Sequence, residues 1–242
     1  MGEIMSVNEI RLISTGNEEL DARLAGGIPF PSLIVIEGDH GTGKSVVAQQ
    51  FIFGALKSSL KVVVITTEST TLGYIKRMEQ AGFPILDYYI TGKLTVYSTQ
   101  LPGVKWTKEY SRLLPAITSN YMVLRIKYYD VFVIDSFSHL VTYSQPNEVL
   151  DFFTIARQIV DKGRLVIITV HPQTIKEDLL TRIRAMCDGY FVLKNAVVGG
   201  RFVKIMNIVK LKGAPTVFDS NITFDVDPAF GIKIIPIALA KA

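Results

Sequence analysis

The 242-residue sequence predicts an α/β fold: a mostly parallel sheet with helices on both faces and a C-terminal antiparallel extension. Three observations predict it. Short continuous apolar runs at residues 33–36, 131–134 and 165–170 read as strands buried on both faces. Between such runs, apolar residues recur at helical spacing, and alternation of this kind calls for parallel strands joined by crossover helices. From Tyr190 onward only strand patterns remain.

The elements follow in order. The run 33–36 ends in Glu37-Gly38, and after a glycine-rich turn Val47, Phe51, Gly54 and Ala55 fall on one helical face. Residues 62–67 are all valine, isoleucine or threonine, whose β-branching suits a strand. A helix over 72–80 stops near Gly82 and Pro84, and 94–97 is a shorter strand. Residues 106–128 read as helical on either side of a break at Pro115, because proline lacks the N–H and clashes with the preceding turn. Then come a buried strand at 131–134, a helix at 149–160 stopped by Gly163, a strand at 165–170 and a helix at 179–186. Strands are expected at 190–193, 202–211, 222–226 and 232–237, with Gly199-Gly200 as the hairpin turn between the first two. No linker, low-complexity segment or repeat interrupts the pattern, so one domain spanning residues 1–242 is expected.

Composition narrows the function classes. Apolar residues make up 48% of the chain, which excludes a disordered polypeptide. The single cysteine, Cys187, excludes a disulfide framework and a cysteine-based zinc site. With only His40, His139 and His171, a multi-histidine metal centre is not expected either. No apolar run approaches the ~18 residues a membrane helix needs, and residues 1–13 do not read as a secretory signal. An intracellular, reducing setting fits these features. The net charge of +4 is unevenly spread: residues 1–100 carry 8 basic and 10 acidic side chains, residues 101–242 carry 18 and 12. Eight basic and three acidic residues fall within 176–212. Nucleic acid is one partner for such a segment; ATP phosphates, an acidic protein or a lipid surface are others, and composition favours these.

The strongest motif is Gly38-Asp39-His40-Gly41-Thr42-Gly43-Lys44-Ser45, a G-x-x-x-x-G-K-[ST] (Walker A) phosphate loop between a buried strand and a helix. Its glycines let successive N–H groups point inward at phosphates, and the helix N-terminus adds its positive end. Lys44 is expected to reach the β- and γ-phosphates, and the Ser45 hydroxyl to ligate Mg²⁺. Asp135, ending the strand 131–134, is placed for the carboxylate that holds Mg²⁺. Glu68, ending the strand 62–67, is the candidate to polarise an attacking water, though a capping or solvated glutamate is an equal reading. His171, just past 165–170, either senses the γ-phosphate or is simply a hydrogen-bonded histidine. In the strand 202–211, alternation places Lys204, Lys210 and Lys212 on one side. Lys210 and Lys212 at its tip either reach a phosphate held by a neighbouring subunit or remain solvated.

Several segments together resemble the KaiC-like branch of the RecA superfamily of P-loop NTPases: Thr15-Gly16, Leu20-Asp21 and Gly26-Gly27-Ile28-Pro29 before the phosphate loop, Asp135-Ser136, Cys187-Asp188-Gly189, and Lys210-Leu211-Lys212-Gly213. The resemblance spans residues 14–242. Within that branch, Thr67-Glu68-Ser69-Thr70, His171-Pro172 and the tail Val226-Asp227-Pro228-Ala229-Phe230-Gly231-Ile232-Lys233-Ile234-Ile235-Pro236-Ile237 resemble the FlaH (ArlH) family, the H subunits of the archaellum, or archaeal flagellum. This implies a RecA-like core that binds ATP and forms hexameric rings. It also implies a cytoplasmic position at the membrane motor, beside the secretion/rotation ATPase and the membrane-bound ring protein. Lys210 and Lys212 match the branch's inter-subunit cationic pair. Two departures matter: Ser69 stands where a second carboxylate follows Glu68 in KaiC-type sites, and Lys212 where an arginine is frequent. The first implies slow or absent hydrolysis, and the second, a point charge in place of a bidentate fork, implies weaker activation between subunits. The expected function is therefore an ATP-binding regulatory and assembly subunit of the archaellum motor. A DNA-dependent recombinase or helicase-type ATPase and an autophosphorylating signalling protein are the alternatives.

Overall fold

The computed structural model describes residues 10–100, 103 and 107–236. A nine-stranded sheet forms the centre. Its parallel part comprises β3 (Ser32–Gly38), β4 (Val62–Thr66), β5 (Leu94–Ser98), β6 (Val131–Asp135) and β7 (Leu165–Val170). β8 (Gly189–Val198) is parallel to β3 and opens the antiparallel extension of β9 (Arg201–Leu211), β10 (Asn221–Asp227) and β11 (Gly231–Ile234). Across the sheet the order is β11-β10-β9-β8-β3-β7-β6-β4-β5. The predicted fold class is thus present, with its antiparallel extension.

The continuous apolar runs are explained by covering on both faces. In β3, β4, β6 and β7, alternate side chains enter two separate cores: Ile34, Val64, Val133 and Ile167 on one face, Val35, Val63, Phe132 and Ile168 on the other. The first core packs against α2 (Lys44–Lys57) and α3 (Thr71–Gln80). The second packs against α7 (Pro146–Asp161) and α8 (Glu177–Met186). Each fully buried Ile or Leu contributes about 1.5–3 kcal/mol relative to exposure. Apolar pattern alone misses several short pieces: the ribbon of β1 (Arg11–Ile13) and β2 (Ile28–Phe30), and helices α1 (Glu18–Arg23), α4 (Leu86–Ile90) and α6 (Phe137–Leu140).

Two expectations need correction. α5 (Lys108–Arg125) runs through Pro115 without a break. Its start is capped by Thr107, whose hydroxyl accepts from Tyr110 N, and Arg112 forks onto Glu148 of α7 at 2.9 and 3.0 Å. Pro115 is buried on that helix pair, so packing compensates for the one backbone bond it forgoes. The predicted start at Trp106 lies outside the described residues, as do residue 237 of the last strand and residues 1–9. The second correction concerns β9. Tyr190 pairs with Lys210 and Phe191 with Ile208, so Val209 is an extra, bulged residue and is 61% exposed. The bulge reverses the alternation: Lys204 shares the face of Ile208, while Lys210 shares the face of Tyr190.

α2 touches the chain's early loop so closely that no side chain fits between them. A Cβ on Gly54 would lie 2.1 Å from the Ser14 carbonyl oxygen. Gln50 of α2 donates to Thr15 O at 2.8 Å beside it. Gly54→Ala gains about 1 kcal/mol of helix propensity but must push backbone aside. We expect a net loss of about 2–3 kcal/mol in urea unfolding; a more stable variant would show that the close approach is absent.

Candidate nucleotide site

The register of the parallel strands builds the site. β6 pairs with β4 so that Asp135 sits beside Thr66, and with β7 so that Asp135 falls beside Thr169. The Thr169 hydroxyl donates to Asp135 Oδ1 at 2.8 Å, and Asp135 O accepts from Thr67 N at 2.7 Å. Glu68 follows Thr67 at the end of β4, and His171 follows Val170 at the end of β7. All of these lie at the carboxyl edge of the sheet, where this architecture leaves its crevice.

The phosphate loop leaves β3 at Gly38 and enters α2 at Lys44. Gly41 and Gly43 have φ of +76° and +94°, a conformation that side-chain-bearing residues rarely adopt. At Gly38 a Cβ would fall 2.6 Å from the Thr42 hydroxyl and 2.8 Å from the Leu193 carbonyl, so this glycine also lets the loop pack on β8. Thr42 Oγ1 and Lys44 Nζ both donate to Asp39 O, at 2.8 and 2.7 Å. His40, Gly41, Gly43, Lys44, Ser45, Val46, Glu68, His171, Lys204 and Val226 line a cleft of about 290 Å³.

The electrostatics are those of a cleft prepared for an anion and a cation. Lys44 is 6% exposed, and burial lowers its pKa against the opposing pull of Glu68, Asp135 and Asp39. Asp135 is 3% exposed; burial pushes its carboxyl up to about 6, the Thr169 hydrogen bond opposes, and the Glu68 charge adds to the rise. The Ser45 hydroxyl lies 3.5 Å from Asp135 Oδ1. A hydroxyl and a buried carboxylate side by side form an all-oxygen donor set of the kind Mg²⁺ prefers. Both the phosphate-loop lysine and this pair therefore fit MgATP.

The candidate residues do not all converge. Gly38 to Ser45, Glu68, Asp135 and His171 come together. Lys210 does not join them: its ammonium donates to Arg184 O and Ala185 O at 3.1 and 3.2 Å, capping the end of α8. Lys212 is exposed beyond it. Lys204 is the residue that sequence reasoning passed over. Its Cδ would lie 3.3 Å from a Cβ on Gly43, and its ammonium is 3.9 Å from Asp225. Only the bulge, invisible in an alternating pattern, separates its face from that of Lys210. Of the eight basic residues in 176–212, Arg184 is also spoken for, by Glu37, Glu177 and Tyr190.

Sheet order, phosphate loop and paired acid define a P-loop domain of the RecA-like type. A family model described as "ATPase: KaiC" matches residues 13–238. The archaeal flagellar ATP-binding protein FlaH of Sulfolobus acidocaldarius is 42% identical over 231 residues, 96% of this chain and 100% of that protein. FlaH of Methanocaldococcus jannaschii is 32% identical over 95% of this chain and 97% of its own length. The crystal structure of flagellar accessory protein FlaH from M. jannaschii aligns with a TM-score of 0.83 at 29% identity, covering 94% of this chain and all of that one. A KaiC-like protein from Pyrococcus horikoshii shares the fold, with a TM-score of 0.74 at 20% identity. This chain belongs to the KaiC ATPase family and, within it, to the archaeal flagellar ATP-binding proteins FlaH. Among the described residues no helix is long and apolar enough to cross a membrane.

Proposed function

We propose that this chain binds MgATP in the cleft and acts as a nucleotide-dependent regulatory and assembly subunit of the archaellum motor. The observation that carries the reading is Lys44, Ser45 and Asp135 at one end of a parallel sheet, in a chain of the FlaH family. Lys44 holds the β- and γ-phosphates together with the N–H groups of Gly41, Thr42, Gly43 and Lys44. Ser45 and Asp135 hold Mg²⁺, which when bound neutralises phosphate charge. Glu68 is the group to accept a proton from an attacking water. A single carboxylate in that role, beside Ser69, makes hydrolysis slow. ATP occupancy then acts by favouring the ring or partner-binding conformation that binds it better.

The proposed setting is the cytoplasmic face of the motor, against the secretion/rotation ATPase and the membrane-bound ring protein, as a hexameric ring. Lys212, exposed at the end of β9, is the better placed of the two lysines to reach a neighbour's phosphate; Lys210 must first leave its two carbonyls. Light scattering with and without MgATP tests this. MgATP is expected to raise the mass of the wild type, and Lys212→Ala to weaken the effect more than Lys210→Ala. Lys210→Ala is expected instead to destabilise the isolated chain by about 1 kcal/mol through the lost helix cap. A mass that stays monomeric with saturating MgATP contradicts the ring and the role of both lysines.

A further inference from the structure

The nucleotide site does not account for the basic segment 176–212. Its acids all lie at or before Asp188, and no further Asp or Glu follows until Asp219. Lys194, Arg201, Lys204, Lys210 and Lys212 fall in that interval. Lys210 caps α8, and Lys204 lines the cleft 3.9 Å from Asp225. Lys194 and Arg201 are exposed, and among the described residues neither side chain has an ion pair or hydrogen bond.

These two cations stand where the β8–β9 hairpin leaves the sheet. β3 pairs with β8 only as far as Leu193, and β10 pairs with β9 only as far as Lys204. Residues 194–203 run on as a two-stranded ribbon, closed by Gly199 and Gly200 with φ of +59° and +77°. Five residues of strand carry the tip about 16 Å past the sheet. The two faces of the ribbon differ. On one, Val203 is buried and Ala196 and Val198 are half-buried. The other presents the cross-strand pair Val197 and Phe202, 60% and 85% exposed. A two-stranded ribbon is marginally stable alone in water, and this one holds an aromatic and an aliphatic side chain in the open beside its turn.

We propose that the tip of the β8–β9 hairpin docks on an anionic lipid surface: Val197 and Phe202 enter the boundary between headgroups and acyl chains, and Lys194 and Arg201 contact lipid phosphates at the rim. Charge complementarity argues for this occupant. The ribbon carries cations and no acid, and the whole chain has a net charge of +4. Geometry separates lipid from an acidic protein groove. Register places Lys194 and Arg201 on the face opposite Val197 and Phe202. A groove that receives the apolar pair meets one face of the ribbon and leaves those cations behind. A headgroup layer closes around a narrow tip, and long Lys and Arg side chains reach its phosphates from either face. The tip lies outside the nucleotide cleft, so its docking is independent of the reading of that site.

Sedimentation of the full, nucleotide-free chain with vesicles tests this. Vesicles of phosphatidylglycerol and phosphatidylcholine in equal parts are expected to carry the chain down, phosphatidylcholine alone is not, and added salt should weaken the binding. Each cation near an anionic surface is worth about fivefold in affinity, so Lys194→Glu with Arg201→Glu should weaken binding about tenfold or more. Phe202→Ser should cost about tenfold. All three positions lie outside both cores and the cleft, so melting temperature and ATP affinity should stay at wild-type values. Val197→Cys carrying an environment-sensitive fluorophore reports insertion; Cys187 is buried and does not compete for the label. Its emission should shift to the blue on the anionic vesicles only. Equal sedimentation with both vesicle types, variants that bind as the wild type does, or binding without a blue shift overturns the proposal. So does retention on polyglutamate as strong as on vesicles and undiminished in Phe202→Ser, which would reduce the ribbon to bare charge. Self-association that Phe202→Ser abolishes, without vesicle binding, would assign the tip to a second copy of the chain and overturn the lipid reading.

Discussion

Asp135→Asn is expected to make the nucleotide-free chain more stable and to abolish the Mg²⁺ dependence of ATP binding. The carboxyl of Asp135 holds its proton up to about pH 6 in the folded chain, against 3.8 for an ordinary aspartate. A folded pKa above the unfolded one means that the folded chain binds the proton more tightly. Stability from this group is therefore greatest below about pH 4 and is lost as pH rises through about 6. At neutral pH the buried charge costs up to about 3 kcal/mol. Asparagine removes the charge and keeps an oxygen for the Thr169 hydroxyl. The melting temperature at pH 7.5 should rise by about 5 °C, and the rise should vanish below about pH 4. ATP with Mg²⁺ should then protect the variant no better than ATP alone. The same titration predicts that wild-type MgATP binding weakens as pH falls below about 6, because a protonated Asp135 no longer attracts the cation. A variant less stable than the wild type at pH 7.5 would show that the carboxylate is not an electrostatic burden.

Lys44→Ala is expected to weaken ATP binding about a hundredfold or more and to leave the empty chain close to wild-type stability. The ammonium is buried at the floor of the cleft and satisfied there by one carbonyl, Asp39 O. Burial lowers its pKa, so its charged form is disfavoured in the fold, and this penalty fades as pH rises toward 10.5. On the proposed reading, a group held against its preference in the nucleotide-free chain gains its full value only from bound phosphates. A fluorescent ATP analogue measures the affinity, and thermal unfolding measures the stability. Wild-type affinity would dissociate Lys44 from the phosphates. A large drop in stability without nucleotide would make it a structural residue instead.

The parallel half of the sheet is legible in the sequence because burial on both faces leaves no polar position. Residues 62–66 and 131–134 could be little else. The phosphate loop is legible because its residue types and spacing are dictated locally by backbone conformation. Asp135 is legible because the fold fixes which end of a strand faces the crevice. Other features depend on tertiary contact. Pro115 signals a break that packing of α5 on α7 overrides. Val209 is one more β-branched residue in a strand of them, so nothing marks it as the insertion that sends Lys204 and Lys210 to opposite faces. The histidines lie up to 131 residues apart in sequence (His40 to His171), and only the fold brings His139 and His171 to Glu68 and the His40 ring against that of His171.

Calorimetric titration of the wild-type chain with ATP, in the presence and absence of Mg²⁺, tests the central claim most directly. One nucleotide should bind per chain. Affinity should be higher with Mg²⁺, the Mg²⁺ increment should disappear in Asp135→Asn, and binding should be lost in Lys44→Ala. No heat of binding in the wild type, or equal affinity in all three proteins, would contradict a nucleotide site at this end of the sheet.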